Sequence, residues 1–113
     1  MLTTEKLKEY GADVETGLAR CVGNENLYLR LVGICIQELS ENELGEALRA
    51  GELEKAFEIA HKLKGGVTNL ALTPVCEPVC ELTELLRGKT PGDYTRLYEE
   101  IVKQTQELTA LVD

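Results

Sequence analysis

Between Glu52 and Leu72 the chain repeats apolar residues at three- and four-residue spacing. Leu53, Ala56, Phe57, Ala60, Leu63, Val67 and Leu70 trace one stripe. That period buries a single face of an α-helix; a strand, whose side chains alternate every second residue, cannot use it. Glu52, Glu54 and Glu58 lie towards the start of the segment and Lys62 and Lys64 later, an order that suits the helix dipole. A long helix with one apolar face needs other elements to cover it, and strand signals are weak everywhere else. The most β-like stretch, Leu31 to Ile36, contains Gly33. It also lies inside the helical spacing of Leu27, Leu31, Ile34, Cys35 and Leu39.

The covering elements read as helices too. Asn24 or Asn26 caps the Leu27–Leu39 segment, which runs to about Ser40. Upstream, Leu7 and Tyr10 predict a short helix ending at Gly11. Asp13 then caps a second, which carries Val14, Leu18 and Cys21 and is closed by Gly23. Another short helix fits Asn42 to Ala50, with Leu44, Ala47 and Leu48 on one face and Gly51 closing it in the left-handed conformation. Thr73-Pro74 reads as a cap followed by proline at the first helical position, opening a helix to Leu86 with Gly88 beyond. Pro78 removes a backbone hydrogen bond and is expected to bend or delay that helix. Thr90-Pro91 repeats the signal before a last helix carrying Tyr94, Leu97, Ile101, Gln104, Leu108 and Leu111. The expected fold class is all-α: an antiparallel four-helix bundle with additional short N-terminal helices packed at one end, forming a single domain over residues 1–113.

Charge narrows the function. Twelve Lys and Arg against 20 Asp and Glu leave a net charge of −8, which opposes binding to a nucleic-acid backbone. Aromatic residues are 4% of the chain and Trp is absent, so base stacking has little to work with. No run approaches the roughly 18 apolar residues of a membrane span, and the polar start, Met1 to Lys6, does not read as a signal peptide. The expected location is cytoplasmic, and the termini suggest an independent protein. The four cysteines, Cys21, Cys35, Cys76 and Cys80, then read as reduced thiols. Cys76 and Cys80 share a helix face and would supply half a tetrahedral zinc site, but buried thiols filling a helix interface fit the spacing better. Glu38, Glu41, Glu43 and Glu46 read as a solvated face. Without a phosphate-cradling Gly-x-x-x-x-Gly-Lys loop the chain is not expected to phosphorylate itself from ATP.

His61, the only histidine, sits on the flank of the stripe, where its ring meets solvent at the edge of a packed surface. Its neighbours three and four positions away are Phe57 and Glu58 before it and Lys64 and Gly65 after it. Phe57 would support the ring from the core side, Lys64 would place a cation within reach, and Gly65 with Gly66 would leave a hollow beside it. Two consecutive glycines inside a helix cost roughly 1–2 kcal/mol against alanine, so close approach of another helix or an outside molecule is implied. A neutral imidazole nitrogen can attack phosphorus and hold a labile P–N adduct, with Lys64 neutralising phosphoryl oxygens. The same residues also fit a plain alternative: a polar boundary histidine and glycines that mark tight packing.

The run Ala60-His61-Lys62-Leu63-Lys64-Gly65-Gly66-Val67-Thr68-Asn69-Leu70-Ala71 closely resembles the signature of histidine-containing phosphotransfer (HPt) domains, His-x-Leu-Lys-Gly followed by small residues and an aliphatic one. The likeness extends over roughly residues 10–112, including Gly11 to Arg20, Gly23-Asn24 and Tyr28 to Leu31. It departs at Ala71, where many members have glycine, at Gly66, where alanine or serine is commoner, and at Glu52, where aspartate is frequent.

The resemblance implies a left-handed four-helix bundle and a phosphoryl carrier, not an enzyme with its own ATP-dependent kinase activity. It would pass phosphoryl between receiver-domain aspartates of response regulators or hybrid histidine kinases. It further implies His61 as phosphoacceptor, Lys64 as phosphoryl-stabilising cation and Gly65 as access residue. Lys62, Phe57, Glu58, Gly66 and Thr68 would meet the partner, with Val14 and Leu18 as candidate apolar neighbours. No cofactor is expected on this chain, Mg²⁺ being the partner's, and neither nucleic acid nor membrane is an expected partner. Two alternatives stand beside this: a phosphoacceptor module of a chemotaxis-type histidine kinase, and a non-catalytic receiver-binding adaptor.

Overall fold

A computed structural model describes residues 1–90 and 94–113, and Pro91 of the expected second cap-then-proline signal lies outside them. Seven helices form among the described residues: α1 (Thr4–Tyr10), α2 (Val14–Arg20), α3 (Glu25–Leu39), α4 (Glu43–Arg49), α5 (Leu53–Asn69), α6 (Thr73–Arg87) and α7 (Tyr94–Ala110). Local chemistry sets several of their ends. Thr3, Asp13 and Asn24 each accept a hydrogen bond from a first-turn amide, at Lys6, Thr16 and Leu27, which satisfies a donor the helix itself cannot. Gly11 closes α1 at φ 114° and Gly51 follows α4 at φ 73°, values that a side chain resists. Glu52 makes no side-chain cap on α5.

Two expectations about α6 shift. The residue before α6 is Leu72, so Thr73 is its first helical residue, and Thr73 Oγ1 turns back to the Ala71 carbonyl at 3.4 Å. Pro78, expected to bend or delay α6, lies buried inside a helix that runs continuously from Thr73 to Arg87.

The long helices pack in a ring, α3 against α5, α5 against α6, α6 against α7, and α7 against α3. Ion pairs fix the direction of one side of it: Lys64 meets Glu84 while Glu54, earlier on α5, meets Lys89 beyond the end of α6. On the other side of α5, Tyr28 reaches Leu70 and Cys35 lies over Gly66, so α3 also runs against α5. The result is the expected all-α bundle, with α1 and α2 stacked beside α3. The third short helix, α4, packs on α5 and α7.

The core is apolar and continuous. Ala56, Ala60, Leu63 and Val67 of α5 meet Val75, Val79, Leu82 and Leu86 of α6 and Leu97, Ile101 and Leu108 of α7, all buried. On α3 the buried stripe is Tyr28, Val32, Cys35, Ile36 and Leu39, rotated from the expected one: Leu27 and Leu31 are half-buried, and Ile34 is 44% exposed. The rotation follows from packing on α5, α7 and α2 at once, which draws Tyr28 and Val32 inward.

Tyr28 anchors this corner. It is fully buried, and its hydroxyl donates to the Leu70 carbonyl at 3.0 Å, satisfying an acceptor at the end of α5. Gly17 of α2 makes room: a Cβ there would lie 2.4 Å from the Tyr28 ring.

Candidate functional site

His61 lies at the middle of α5 with its side chain exposed, on the flank of the buried Ala56–Ala60–Leu63–Val67 stripe. Helical spacing puts Phe57 one turn before it, and the two rings stack with centroids 5.5 Å apart and planes 12° from parallel. The half-buried Phe57 is thus the support on which the imidazole rests. Among the described residues no hydrogen bond or ion pair reaches either ring nitrogen, so the ring is held by its flat face and its edge is left to solvent.

Two cations stand beside this stack. Lys64, one turn after His61 and half-buried, donates from Nζ to Glu84 Oε2 of α6 at 3.3 Å. The same carboxylate accepts from Arg87 Nε at 3.2 and 3.4 Å. Arg87 also places its guanidinium carbon 5.1 Å from the Phe57 ring centroid, within cation–π range. The hydrogen bond from Lys64, with Arg87 adding to it, holds the Glu84 carboxyl below its ordinary pKa. Glu84 and Arg87 did not emerge from the helix pattern of α5 because they belong to another element.

The glycines divide their work. A Cβ on Gly65 would meet nothing within 4 Å, so its face is open, whereas one on Gly66 would sit 3.4 Å from Cys35 Sγ on α3. Between α3 and α5 a hollow of about 380 Å³ is lined by Ile34, Cys35, Glu38, Gly65, Gly66 and Asn69, among others. It lies one turn along α5 from the imidazole, not around it. Ile34 is the exposed apolar residue at its rim. Val14, expected to border the site, is instead buried at 3% exposure, because α2 turns that face into the core, and Leu18 is half-buried.

The other expected partner-facing residues fall as follows. Glu58 and Lys62 are exposed, Gly66 is half-buried, and Thr68 is half-buried with its hydroxyl donating to the Lys64 carbonyl at 2.6 Å. The end of α5 is fastened by Arg20, whose guanidinium donates to the carbonyls of Thr68 and Asn69. A cation at a helix C-terminus is favourable, and this one steadies the helix that carries His61.

The matched helix and its stretch of sequence decide the family. A model of the Hpt domain family matches residues 30–113, more than half of the chain, and spans α3 to α7 with His61 inside it. The chain belongs to the Hpt domain family. No curated protein and no solved structure gives a significant match. As an Hpt domain it is a histidine phosphotransfer module of phosphorelay signalling, a phosphocarrier class that interacts with receiver domains. The matched span begins in α3, so α1 and α2, including Gly11 to Arg20, stand outside it.

All four cysteines of the Hpt protein are free thiols. Cys35 and Cys21 are buried, while Cys76 and Cys80 are half-buried along α6, and Cys76 Sγ donates to the Val67 carbonyl at 3.1 Å. Among the described residues no group of three or more His, Cys, Asp or Glu side chains gathers around the Cys76–Cys80 pair or elsewhere as a metal-binding set. The acidic run is mostly solvated: Glu41, Glu43 and Glu46 are exposed, and Glu38 is half-buried at the hollow. Among the described residues no helix is long and apolar enough to cross a membrane.

Proposed function

We propose that His61 is the phosphoacceptor and that the chain carries phosphoryl from one receiver-domain aspartate to another. The observation that carries this reading is the exposed imidazole of an Hpt-family chain, stacked on Phe57 with its nitrogens unpaired among the described residues. In the forward step the unprotonated ring nitrogen attacks the phosphorus of an aspartyl phosphate. The N–P bond forms as the acyl P–O bond breaks, and the aspartate carboxylate leaves with the electron pair. The reverse step delivers the group to the next receiver. Mg²⁺ would be held by the receiver and would supply neutralising charge there; this chain supplies position and positive charge.

The chain's own contribution has three parts. Phe57 fixes the ring plane, so the attacking nitrogen needs little reorientation. Lys64 lies one turn along and can donate to a phosphoryl oxygen. The open face at Gly65 admits the partner backbone, and exposed Ile34 beside it supplies an apolar contact to a small transient interface. Lys62 complements an acidic receiver and steers encounter.

One assay tests the reading. The protein is incubated with a phosphorylated receiver and, separately, with a kinase core plus ATP, and acid-labile, base-stable label is sought. Label from the receiver that vanishes in His61→Gln is the expected result. Label only from the kinase indicates a chemotaxis-type kinase module, and no label from a competent panel leaves a receiver-binding adaptor. Label that survives His61→Gln overturns the assignment.

A further inference from the structure

We infer that Glu84 is a positioning residue that holds Lys64, one turn after His61, and competes with the phosphoryl group for it. The inference rests on the phosphotransfer reading of His61. It begins from a loop of contacts across two helices: His61 stacks on Phe57, Phe57 takes the Arg87 guanidinium, Arg87 binds Glu84, and Glu84 binds Lys64, one turn after His61. Lys64 is therefore not an idle cation awaiting a ligand. In the unphosphorylated protein it is already occupied by a carboxylate.

The charges around the ring change sign on transfer. Beforehand Lys64 and Arg87 against Glu84 leave that cluster at about +1, exposed Lys62 and Glu58 beside His61 offsetting each other, and the sum attracts an incoming phosphoryl group. Once His61 carries the group, roughly −2 is added, and Glu84 becomes a like-charged neighbour contending for the same ammonium. Lysine has three N–H donors, so Lys64 can begin to bind a phosphoryl oxygen before it leaves Glu84. The Lys64–Glu84 pair is exposed enough to exchange: its side chains are 33% and 54% accessible, and water and salt weaken such a pair. Arg87 retains Glu84 through its Nε, so the carboxylate is not stranded when Lys64 moves.

A carrier must accept phosphoryl and also release it. A carboxylate that contends for Lys64 raises the free energy of the phosphorylated state relative to a site in which Lys64 is unopposed, and so keeps the group transferable. On this account Glu84 limits how tightly the phosphohistidine is held. A surface ion pair that merely joined α5 to α6 would leave the transfer equilibrium unchanged.

The test uses the full chain with a receiver domain charged by acetyl phosphate, and separately with phosphoramidate as a small donor. In the latter reaction the donor's P–N bond breaks, the His61 N–P bond forms, and ammonia departs with the proton displaced from the ring. The readout is the equilibrium partition of phosphoryl between receiver and chain for wild type, Glu84→Gln, Lys64→Ala and the double variant. Glu84→Gln is expected to shift the partition towards the phosphorylated chain by roughly threefold or more at low salt. The shift should shrink at high salt and be smaller when Lys64 is absent. An unchanged partition, or a shift of equal size with and without Lys64, overturns the inference while the wild type still takes label. Failure of the wild type to take label from either donor overturns the phosphotransfer reading itself, and this inference with it.

Discussion

The rings of Phe57 and His61 lie 5.5 Å apart and 12° from parallel, on successive turns of α5. The stack holds the imidazole by its face and leaves its nitrogens without a partner among the described residues, an arrangement a hydrogen-bonded histidine would not have. Phe57→Leu keeps an apolar side chain but loses the flat support. Phosphotransfer to His61 is expected to slow several-fold, while unfolding free energy falls by only about 0.5–1.5 kcal/mol. Rapid-quench label transfer alongside urea unfolding checks both; equal loss of rate in a protein destabilised far more than this would point to general disruption instead.

Two glycines should respond in opposite ways. At Gly65 an added Cβ meets nothing, so Gly65→Ala is expected to stabilise α5 by up to about 1 kcal/mol through helix propensity. Gly65→Leu projects further into the space a partner needs and should lower transfer from a receiver by tenfold or more without unfolding the protein. At Gly17 the Cβ would lie 2.4 Å from the Tyr28 ring and 2.8 Å from the Leu70 carbonyl. Gly17→Ala is therefore expected to cost about 1–3 kcal/mol, measured by thermal and urea unfolding.

Ala71 bears on the departure from the family pattern noted in its sequence. It is small, as expected, but size is not what the position tests: its backbone is left-handed at φ 56°, just past the end of α5. An L-residue with a side chain is disfavoured there by roughly 1–2 kcal/mol. Ala71→Gly should raise stability by up to about 1 kcal/mol, the unfolded chain's added freedom offsetting the rest. A decrease in the urea midpoint would show that the lost methyl packing outweighs the relief.

Alkaline pH should weaken the fold through groups buried in their protonated form. Burial pushes the Cys35 thiol up to about 12 and the Cys76 thiol up to about 11, from an ordinary 9.0. It pushes the Tyr28 phenol up to about 12, and the Tyr10 phenol rises as well. The unfolded chain loses these protons first, so the folded state binds more protons above pH ~9 and stability falls as pH rises from there towards 12. Circular-dichroism melts between pH 8 and 11 should show a declining midpoint, using about 9 as the onset. Cys35 should also resist alkylation at neutral pH until the protein unfolds, since the thiolate is the reactive form.

The chain alone determined what depends on neighbours within a turn or two. Asp13, Asn24, Gly11 and Gly51 act on amides and dihedrals beside them, and the α5 stripe repeats at the helix's own period, so the helices, their order and the exposed flank of His61 were readable from spacing. The fine position of a boundary was not: Thr73 as first residue of α6 in place of its cap depends on how the α5–α6 turn closes. Nor was the face α3 buries, because a helix with apolar residues on several sides is turned by whatever packs against it. Tertiary structure decided every contact whose partners are distant in sequence. Arg20 reaches carbonyls 48 and 49 residues away, Tyr28 one 42 away, and Lys64 finds Glu84 across 20 residues. Such pairings cost loop-closure entropy and form only when the whole bundle brings the groups together, so no local pattern encodes them. The histidine, its flat support and its open side come from one helix; the carboxylate that occupies its lysine comes from the packing of two.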